Sequence, residues 1–194
     1  MLDAKAREAL SGLYRIIGTG LARLGLTPNA VTVLGVAGSA VAAAFVVRER
    51  FFVGGLVLIG AGLLDFADGA VAKATGRSTL FGAFLDSIAD RISDLLILSA
   101  LVWALLQRGD ELPAGLAIAA LGLAQLTSYI RAKAESLGLD CKVGILERAE
   151  RVIIVIAGLV LGFIEIALGV LVLLGTVTVV QRLVHVWRQA RGRV

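Results

Sequence analysis

Long apolar segments separated by short charged turns constrain this chain more than any other feature of its sequence. A transmembrane helix needs about 20 mostly apolar residues. Hydrophobic residues make up 58% of the 194 positions, and the mean hydropathy is +0.91. The sequence therefore predicts an all-α integral membrane protein that forms a single membrane domain over residues 1–194. Its six predicted transmembrane helices are 28–47, 51–73, 78–106, 113–135, 145–162 and 166–188.

Residues 3–25, ahead of the first apolar segment, combine apolar positions at helical spacing with a basic face. Leu10, Leu13 and Ile17 belong to the apolar stripe, and Arg15 and Arg23 belong to the basic face. This pattern predicts an amphipathic juxtamembrane helix that lies on the membrane surface. A soluble helix packed on a partner protein is the alternative.

Four aspartates interrupt the second and third apolar segments. Asp65 and Asp68 are three positions apart, and Asp86 and Asp90 are four apart, so each pair shares one face of a helix. The short loop 76–78 makes the two helices a hairpin. One acid at the centre of a membrane helix costs about 2.5–3.5 kcal/mol, so four cost about 10–14 kcal/mol if nothing compensates them. We therefore expect divalent cations between them, because carboxylate oxygens suit magnesium, manganese or calcium.

The basic residues indicate an orientation in the membrane. With six spans, every Lys and Arg falls on the side of the two termini except Arg48, Arg50 and Arg108 on the other side and Arg91 inside the third span. The positive-inside rule then places both termini and the opening of the aspartate site in the cytoplasm, with the protein in the cell membrane. In a chain with so many spans, the net charge of +4 favours lipid headgroups and phosphorylated substrates as partners over nucleic acid.

The aspartates belong to a longer spaced pattern, D65-x2-D68-G69-x2-A72-K73-x8-G82-x3-D86-x3-D90. This pattern resembles the signature of the CDP-alcohol phosphotransferases. Every fixed position matches except Lys73, where that family usually has Arg. Arg presents a planar fork to a phosphate and Lys a point charge, so the contact expected there changes.

The resemblance implies an enzyme that transfers a phospholipid group from a CDP-linked lipid, such as CDP-diacylglycerol, to an alcohol and releases CMP. Asp65, Asp68 and Asp86 would bind one or two Mg²⁺ or Mn²⁺ ions, and Asp90 would be the general base and a further ligand. The predicted CDP-lipid contacts are Asn29, Thr32, Asp68, Gly69, Ala72, Lys73, Arg77 and Gly82. Helix packing through small residues is the alternative role of Gly69 and Gly82. The alternative interpretation of Asn29 and Thr32 is that they are simple polar residues at the entry of the first helix.

Basic residues near the ends of the last three apolar segments are candidates for binding a phosphorylated alcohol, because guanidinium groups bind phosphate bidentately. They are Arg131, Lys133, Arg148, Arg151 and Arg182. The segment S-Y-I-R-A-K-A-E-S-L-G-L, followed by G-I-L-E-R-A-E-R, is similar to sequences from the branch of the family that uses inositol 1-phosphate. Glycerol 3-phosphate is the rival acceptor. The resemblance also implies a homodimer.

Two other classes of function compete with the enzyme. A small cation transporter would spread acidic residues along a path and show an inverted repeat, whereas these acids are concentrated and no repeat is visible. A non-catalytic lipid-binding protein would not need all four aspartates. Asp94 continues the row of Asp86 and Asp90, and we expect it to form an ion pair with a basic neighbour, with Arg91 nearby.

Overall fold

The computed structural model describes residues 20, 21, 23, 25–75 and 79–191, with the backbone alone at 66 and 73–75. Over these residues the protein is all-helical, which confirms the predicted class. The predicted juxtamembrane helix 3–25 lies almost wholly outside the described residues. The six helices of the described part are α1 (Pro28–Val47), α2 (Phe51–Thr75), α3 (Leu80–Gln107), α4 (Glu111–Ser136), α5 (Arg148–Leu161) and α6 (Ile164–Arg191).

Four of these helices are long and apolar enough to cross a membrane, so the chain is a multi-pass membrane protein. They are α1, α2 as far as Ala72, α4 and α6. The other two differ for separate reasons. Helix α3 carries three aspartates and an arginine between Asp86 and Asp94. The 14 residues of α5 extend about 21 Å, less than the roughly 30 Å of a bilayer core. The count of six spans stays a prediction.

Side-chain caps explain where several helices begin and end. The Thr27 hydroxyl accepts the N–H of Ala30 at 3.2 Å, so α1 begins with Pro28 as its first helical residue. Thr79 caps α3 in the same way through the N–H of Gly82 at 2.9 Å, and α3 therefore begins at Leu80 rather than at 78. Gly162 ends α5 in the left-handed conformation, with φ +79°.

The fifth helix begins at Arg148 rather than at the predicted 145 because the preceding loop is tied to α6. The Leu146 N–H donates to the Thr178 hydroxyl at 3.1 Å, and Arg182 Nε donates to the Val143 carbonyl at 2.9 Å. Gly144 has φ +133°, and a Cβ there would lie 2.6 Å from Thr178 Cγ2. This anchoring makes Arg148 the first residue of α5.

Small residues allow the helices to pack closely around the site. Helix α1 packs on α2 and α3, α3 and α6 pack on α4, and α5 packs on α2 and α6. Many of the buried residues in the main core are alanines, including Ala42, Ala100, Ala104, Ala117 and Ala124, as is typical of helix interfaces in membranes. This packing brings the end of α2 and the beginnings of α3 and α5 to one end of the bundle.

Candidate active site

Three of the four aspartates form a compact cluster where α2 ends and α3 begins. Asp65, Asp68 and Asp86 each offer one carboxylate oxygen, and these oxygens lie within 4.8 Å of one another. The spacings predicted to put each pair on one helix face therefore bring carboxylates from two helices together. Asp90, one turn further along α3, lies outside this three-residue group. We call Asp65, Asp68, Asp86 and Asp90 the acid cluster.

Asp68 is the most deeply buried member of the acid cluster, at 8% exposed. The hydroxyl of Thr32, itself buried on α1, donates to Asp68 Oδ2 at 2.6 Å. Asn29 lies one turn earlier on the same helix, and its Oδ1 would be 3.2 Å from a Cβ on Gly82. The predicted CDP-lipid residues of α1 therefore lie beside the acid cluster, and Gly82 provides room for Asn29.

One arginine reaches the acid cluster across the bundle. The Arg148 guanidinium binds both carboxylate oxygens of Asp65, through Nη1 to Oδ2 and through Nη2 to Oδ1 at 3.0 Å. The same Nη1 lies 3.0 Å from Asp90 Oδ1, although that oxygen is not aligned for a hydrogen bond. Arg148 therefore joins α5 to both aspartate-bearing helices.

A second ion pair lies deeper, one turn along α5. Arg151 Nη2 donates to Asp94 Oδ2 at 2.7 Å, and each side chain is only 9% exposed. Arg151 Nη1 also contacts the Thr127 hydroxyl at 3.2 Å. The expected ion pair of Asp94 is thus formed with Arg151, whereas Arg91 Nη1 donates to the Ser87 carbonyl of its own helix. Thr127 was not singled out by the sequence, and its only signal was a hydroxyl within an apolar helix.

The other basic residues predicted to bind the acceptor lie away from the acid cluster. Arg182 is buried and donates to two carbonyls, those of Val143 at 2.9 Å and Thr127 at 2.6 Å. Arg131 pairs with Glu135 at 3.0 Å on the surface of α4, and Lys133 is exposed two residues further on. Of the five predicted acceptor contacts, the structure brings only Arg148 to the acid cluster.

A partly open cavity of about 490 Å³ lies between the helices next to the acid cluster. Its polar end is formed by Asp65, Asp94, Thr127, Arg148 and Arg151. The far end is apolar and is lined by residues that include Leu58, Ile97, Leu98 and Leu171. Asp65 and Arg148 therefore belong to both the cavity wall and the acid cluster, so the cavity meets the acid cluster at this pair.

The acid cluster suits a divalent cation on the evidence of its own charges. Among the described side chains, its four carboxylates have only one cation in ion-pair contact, Arg148. Buried Asp68 has a hydroxyl partner and no such cation. Three oxygens within 4.8 Å are the hard ligands that Mg²⁺ and Mn²⁺ prefer. Asp65, Asp68 and Asp86 would hold the ion.

The remaining predicted donor-site residues follow the first aspartate pair along the chain. Gly69 and Ala72 are half-buried on α2, in the turn after Asp68. The side chain of Lys73 and the whole of Arg77 lie outside the described residues.

Solved structures with the same arrangement of helices share about a third of this sequence. The crystal structure of Mycobacterium tuberculosis phosphatidylinositol phosphate synthase with CDP-DAG bound matches with a TM-score of 0.84 and 35% identity, over 90% of this chain and 93% of that chain. The same enzyme in complex with manganese and citrate matches with a TM-score of 0.82 and 34% identity, over 90% and 88%.

Sequence comparison gives the same relationship. The archaetidylinositol phosphate synthase of Methanothermobacter thermautotrophicus is 37% identical over 87% of both chains. The phosphatidylinositol phosphate synthase of Mycobacterium marinum is 38% identical over 94% of this chain and 82% of its own. The sequence model of CDP-alcohol phosphatidyltransferases matches residues 25–185. These matches confirm the resemblance carried by the aspartate pattern, and the chain belongs to the CDP-alcohol phosphatidyltransferase family.

Proposed function

We propose that this protein transfers the phosphatidyl-type group of a CDP-linked lipid to inositol 1-phosphate and releases CMP. The observation that carries the proposal is the acid cluster, where three carboxylates from two helices meet within 4.8 Å beside a cavity with two arginines at its polar end. The chain matches relatives over most of their length, and these relatives are named as inositol-phosphate lipid synthases. Their names support the choice of acceptor. The concentration of the acids, together with family membership, argues against a cation transporter.

The donor diphosphate belongs at the acid cluster. A bound divalent ion neutralises charge on the diphosphate and on the departing CMP. Asp65, Asp68 and Asp86 hold that ion, and Thr32 fixes the carboxylate of Asp68 through its hydrogen bond of 2.6 Å. Manganese in a related structure supports Mg²⁺ or Mn²⁺ as the cofactor. Asn29, Gly69, Ala72, Lys73, Arg77 and Gly82 contact the nucleotide and the diphosphate in this proposal.

In this proposal Asp90 accepts a proton during transfer. A hydroxyl oxygen of the acceptor attacks the β-phosphorus of the donor, the phosphoanhydride bond breaks, and CMP leaves with the bridging oxygen. The hydroxyl proton passes to Asp90, whose Oδ1 is buried and accepts no hydrogen bond from a described residue. This unused hydrogen-bond acceptor supports Asp90 as the general base.

The acceptor's phosphate group belongs at the polar end of the cavity. Arg148 and Arg151 line it from successive turns of α5, and guanidinium groups bind phosphate through N–H donors. The Nε of each arginine is buried without a hydrogen-bond partner among the described residues. Arg131, Lys133 and Arg182 would extend this basic region toward the loop. The apolar end of the cavity suits the hydrocarbon of the lipid substrate.

The proposal also includes the setting of the enzyme in the membrane. We infer six spans, with α3 and the shorter α5 as the two beyond the four long apolar helices. The termini and the open end of the site face the cytoplasm of the cell, because the basic residues gather at that end. The family resemblance further implies a homodimer.

An acceptor panel tests the proposal. The purified protein in nanodiscs, supplied with CDP-diacylglycerol and Mg²⁺ or Mn²⁺, should release CMP and form a phosphorylated inositol lipid with inositol 1-phosphate. Replacing the diacyl donor with its archaeal ether analogue identifies the hydrocarbon type. CMP release with glycerol 3-phosphate but not with inositol 1-phosphate would assign the rival acceptor, and no release with either would refute the proposal.

Asp90→Asn provides the internal control for this assay. Loss of a general base lowers turnover by roughly 10²- to 10⁴-fold, while metal binding by the other three aspartates should persist. Turnover close to that of the wild type would remove Asp90 from this role.

A further inference from the structure

Arg148 lies where its guanidinium and a metal ion would compete for the charge of the same carboxylate, that of Asp65. Both oxygens of Asp65 bind Arg148, and one of those oxygens would also have to face the ion with Asp68 and Asp86. Nη1 of the same guanidinium reaches Asp90 at 3.0 Å. One side chain thus contacts half of the acid cluster, and it brings positive charge next to the place where a divalent cation would bind.

The surroundings of Arg148 allow it to leave. Its side chain is 26% exposed, and that of Asp65 is 22% exposed. It is the first residue of α5 and borders the cavity. The buried Arg148 Nε has no hydrogen-bond partner among the described residues. Turning away from Asp65 therefore breaks no hydrogen bond of Nε. The guanidinium therefore has both a space to enter and donors to offer there.

We propose that Arg148 is the internal counter-cation of the metal site and exchanges with the metal. In the metal-free protein it neutralises Asp65 and Asp90. When the ion binds, Arg148 releases Asp65 and turns into the cavity, where it can bind an anionic group. Metal binding beside Asp65 thereby frees the Arg148 guanidinium, which can then donate to a phosphate group at the polar end of the cavity.

Thermodynamic linkage makes the exchange measurable from either side. If Arg148 weakens metal binding by some factor, the metal weakens the Arg148–Asp65 contact by the same factor. The inference rests on the proposed metal-dependent function, but both readouts below need neither donor nor acceptor. An error in the acceptor assignment would therefore leave them unaffected.

The first readout is Mn²⁺ affinity, measured by EPR titration of the purified protein without substrates. Arg148→Ala should tighten Mn²⁺ binding by about tenfold, within the usual range of coupling between sites. Millimolar guanidinium chloride should weaken Mn²⁺ binding in Arg148→Ala more than in the wild type, because it refills the vacated position. Arg148→Lys, which keeps the charge but lacks the fork, should fall between the two proteins.

Arg131→Ala is the matched control, because it removes the same charge from the same end of the bundle. Arg131 pairs with Glu135 on the surface of α4 and contacts no member of the acid cluster. Its removal should change the affinity by less than about twofold, as expected for a screened surface charge. Equal tightening in Arg148→Ala and Arg131→Ala would overturn the inference, since long-range charge alone would then explain both.

The second readout is the reactivity of Arg148 itself. Phenylglyoxal modification, quantified on peptides by mass spectrometry, should be faster at Arg148 with Mn²⁺ than with EDTA. The rate at Arg131 should be the same in both conditions. A rate at Arg148 that does not respond to Mn²⁺ would contradict the exchange.

Discussion

Two arginines on successive turns of α5 form two different kinds of ion pair with aspartates. Arg151 and Asp94 are each 9% exposed, and Thr127 completes the arrangement. Arg148 and Asp65 are 26% and 22% exposed, and Arg148 is shared with Asp90. Separating the buried pair leaves a charge without water or a partner, which is costly. The more accessible pair can exchange partners, because water or a cation can compensate its carboxylates.

This contrast divides the open end of the bundle into a fixed part and an exchangeable part. The fixed part extends from Asp94 and Arg151 through Thr127 to Arg182, which holds the loop before α5. The exchangeable part is the acid cluster with Arg148. We infer that the fixed part holds α5 in place so that Arg148 meets the acid cluster at a set depth.

The largest expected effect comes from breaking the buried pair. Arg151→Ala leaves Asp94 buried without its partner and should lower the free energy of unfolding by about 3–5 kcal/mol. Thermal or denaturant unfolding in detergent measures the loss. Replacing both residues together, with Asp94→Leu and Arg151→Met, should restore most of the stability because no buried charge remains. A loss below about 1 kcal/mol in the single variant, as for an exposed pair, would remove the distinction between the two pairs.

A smaller effect is expected within the acid cluster from Thr32→Val. The change keeps the shape of the side chain and removes the donor to Asp68 Oδ2. Hydrogen bonds to charged groups contribute about 1.5–3 kcal/mol. The free energy of unfolding, measured in EDTA, should therefore fall by that amount. Thr176→Val is the control, because the exposed Thr176 hydroxyl donates to the Val172 carbonyl of its own helix. The two variants should differ clearly, and equal stability would mean that Thr32 does not support Asp68.

The smallest effect concerns Cys141, in the loop between α4 and α5. Burial raises the pKa of this thiol, which is fully inaccessible. Because the thiolate is the reactive form, maleimide labelling at pH 7 should be at least about tenfold slower than in the unfolded chain, and it should accelerate as the pH rises. The measurement uses the wild-type protein, so it involves no change in the free energy of unfolding.

Gly144→Ala sharpens the labelling test, since its Cβ would lie 2.6 Å from Thr178 Cγ2 at a φ of +133°. The displaced loop should expose Cys141 and speed the reaction. Gly122→Ala, where a Cβ meets nothing within 4 Å, should not. Fast labelling in the wild type would show that the loop is not fixed as described.

The sequence predicted the helices and the aspartate faces because both depend on local spacing. Apolar segment lengths indicated where helices lie, and intervals of three and four put each aspartate pair on one face. The position of α5 was less predictable, since its start at Arg148 depends on the Thr178 and Arg182 contacts from α6.

The partners of the arginines could not be predicted, because they depend on tertiary packing. Arg148 meets Asp65 across 83 positions of sequence, and Arg151 meets Asp94 across 57. From the sequence, Arg148, Arg151 and Arg182 were all candidates for binding the phosphorylated alcohol. Packing separates them into one that touches the acid cluster, one in a buried pair and one that holds a loop.

The most direct test of the account is whether the acid cluster binds metal. Mn²⁺ titration by EPR should show binding in the wild type that is lost or greatly weakened in Asp65→Asn, Asp68→Asn and Asp86→Asn. Asp140→Asn removes an exposed acid at the same end of the bundle and should bind as the wild type does. If the three cluster variants retain wild-type Mn²⁺ affinity, the acid cluster is not a metal site and the proposed chemistry fails.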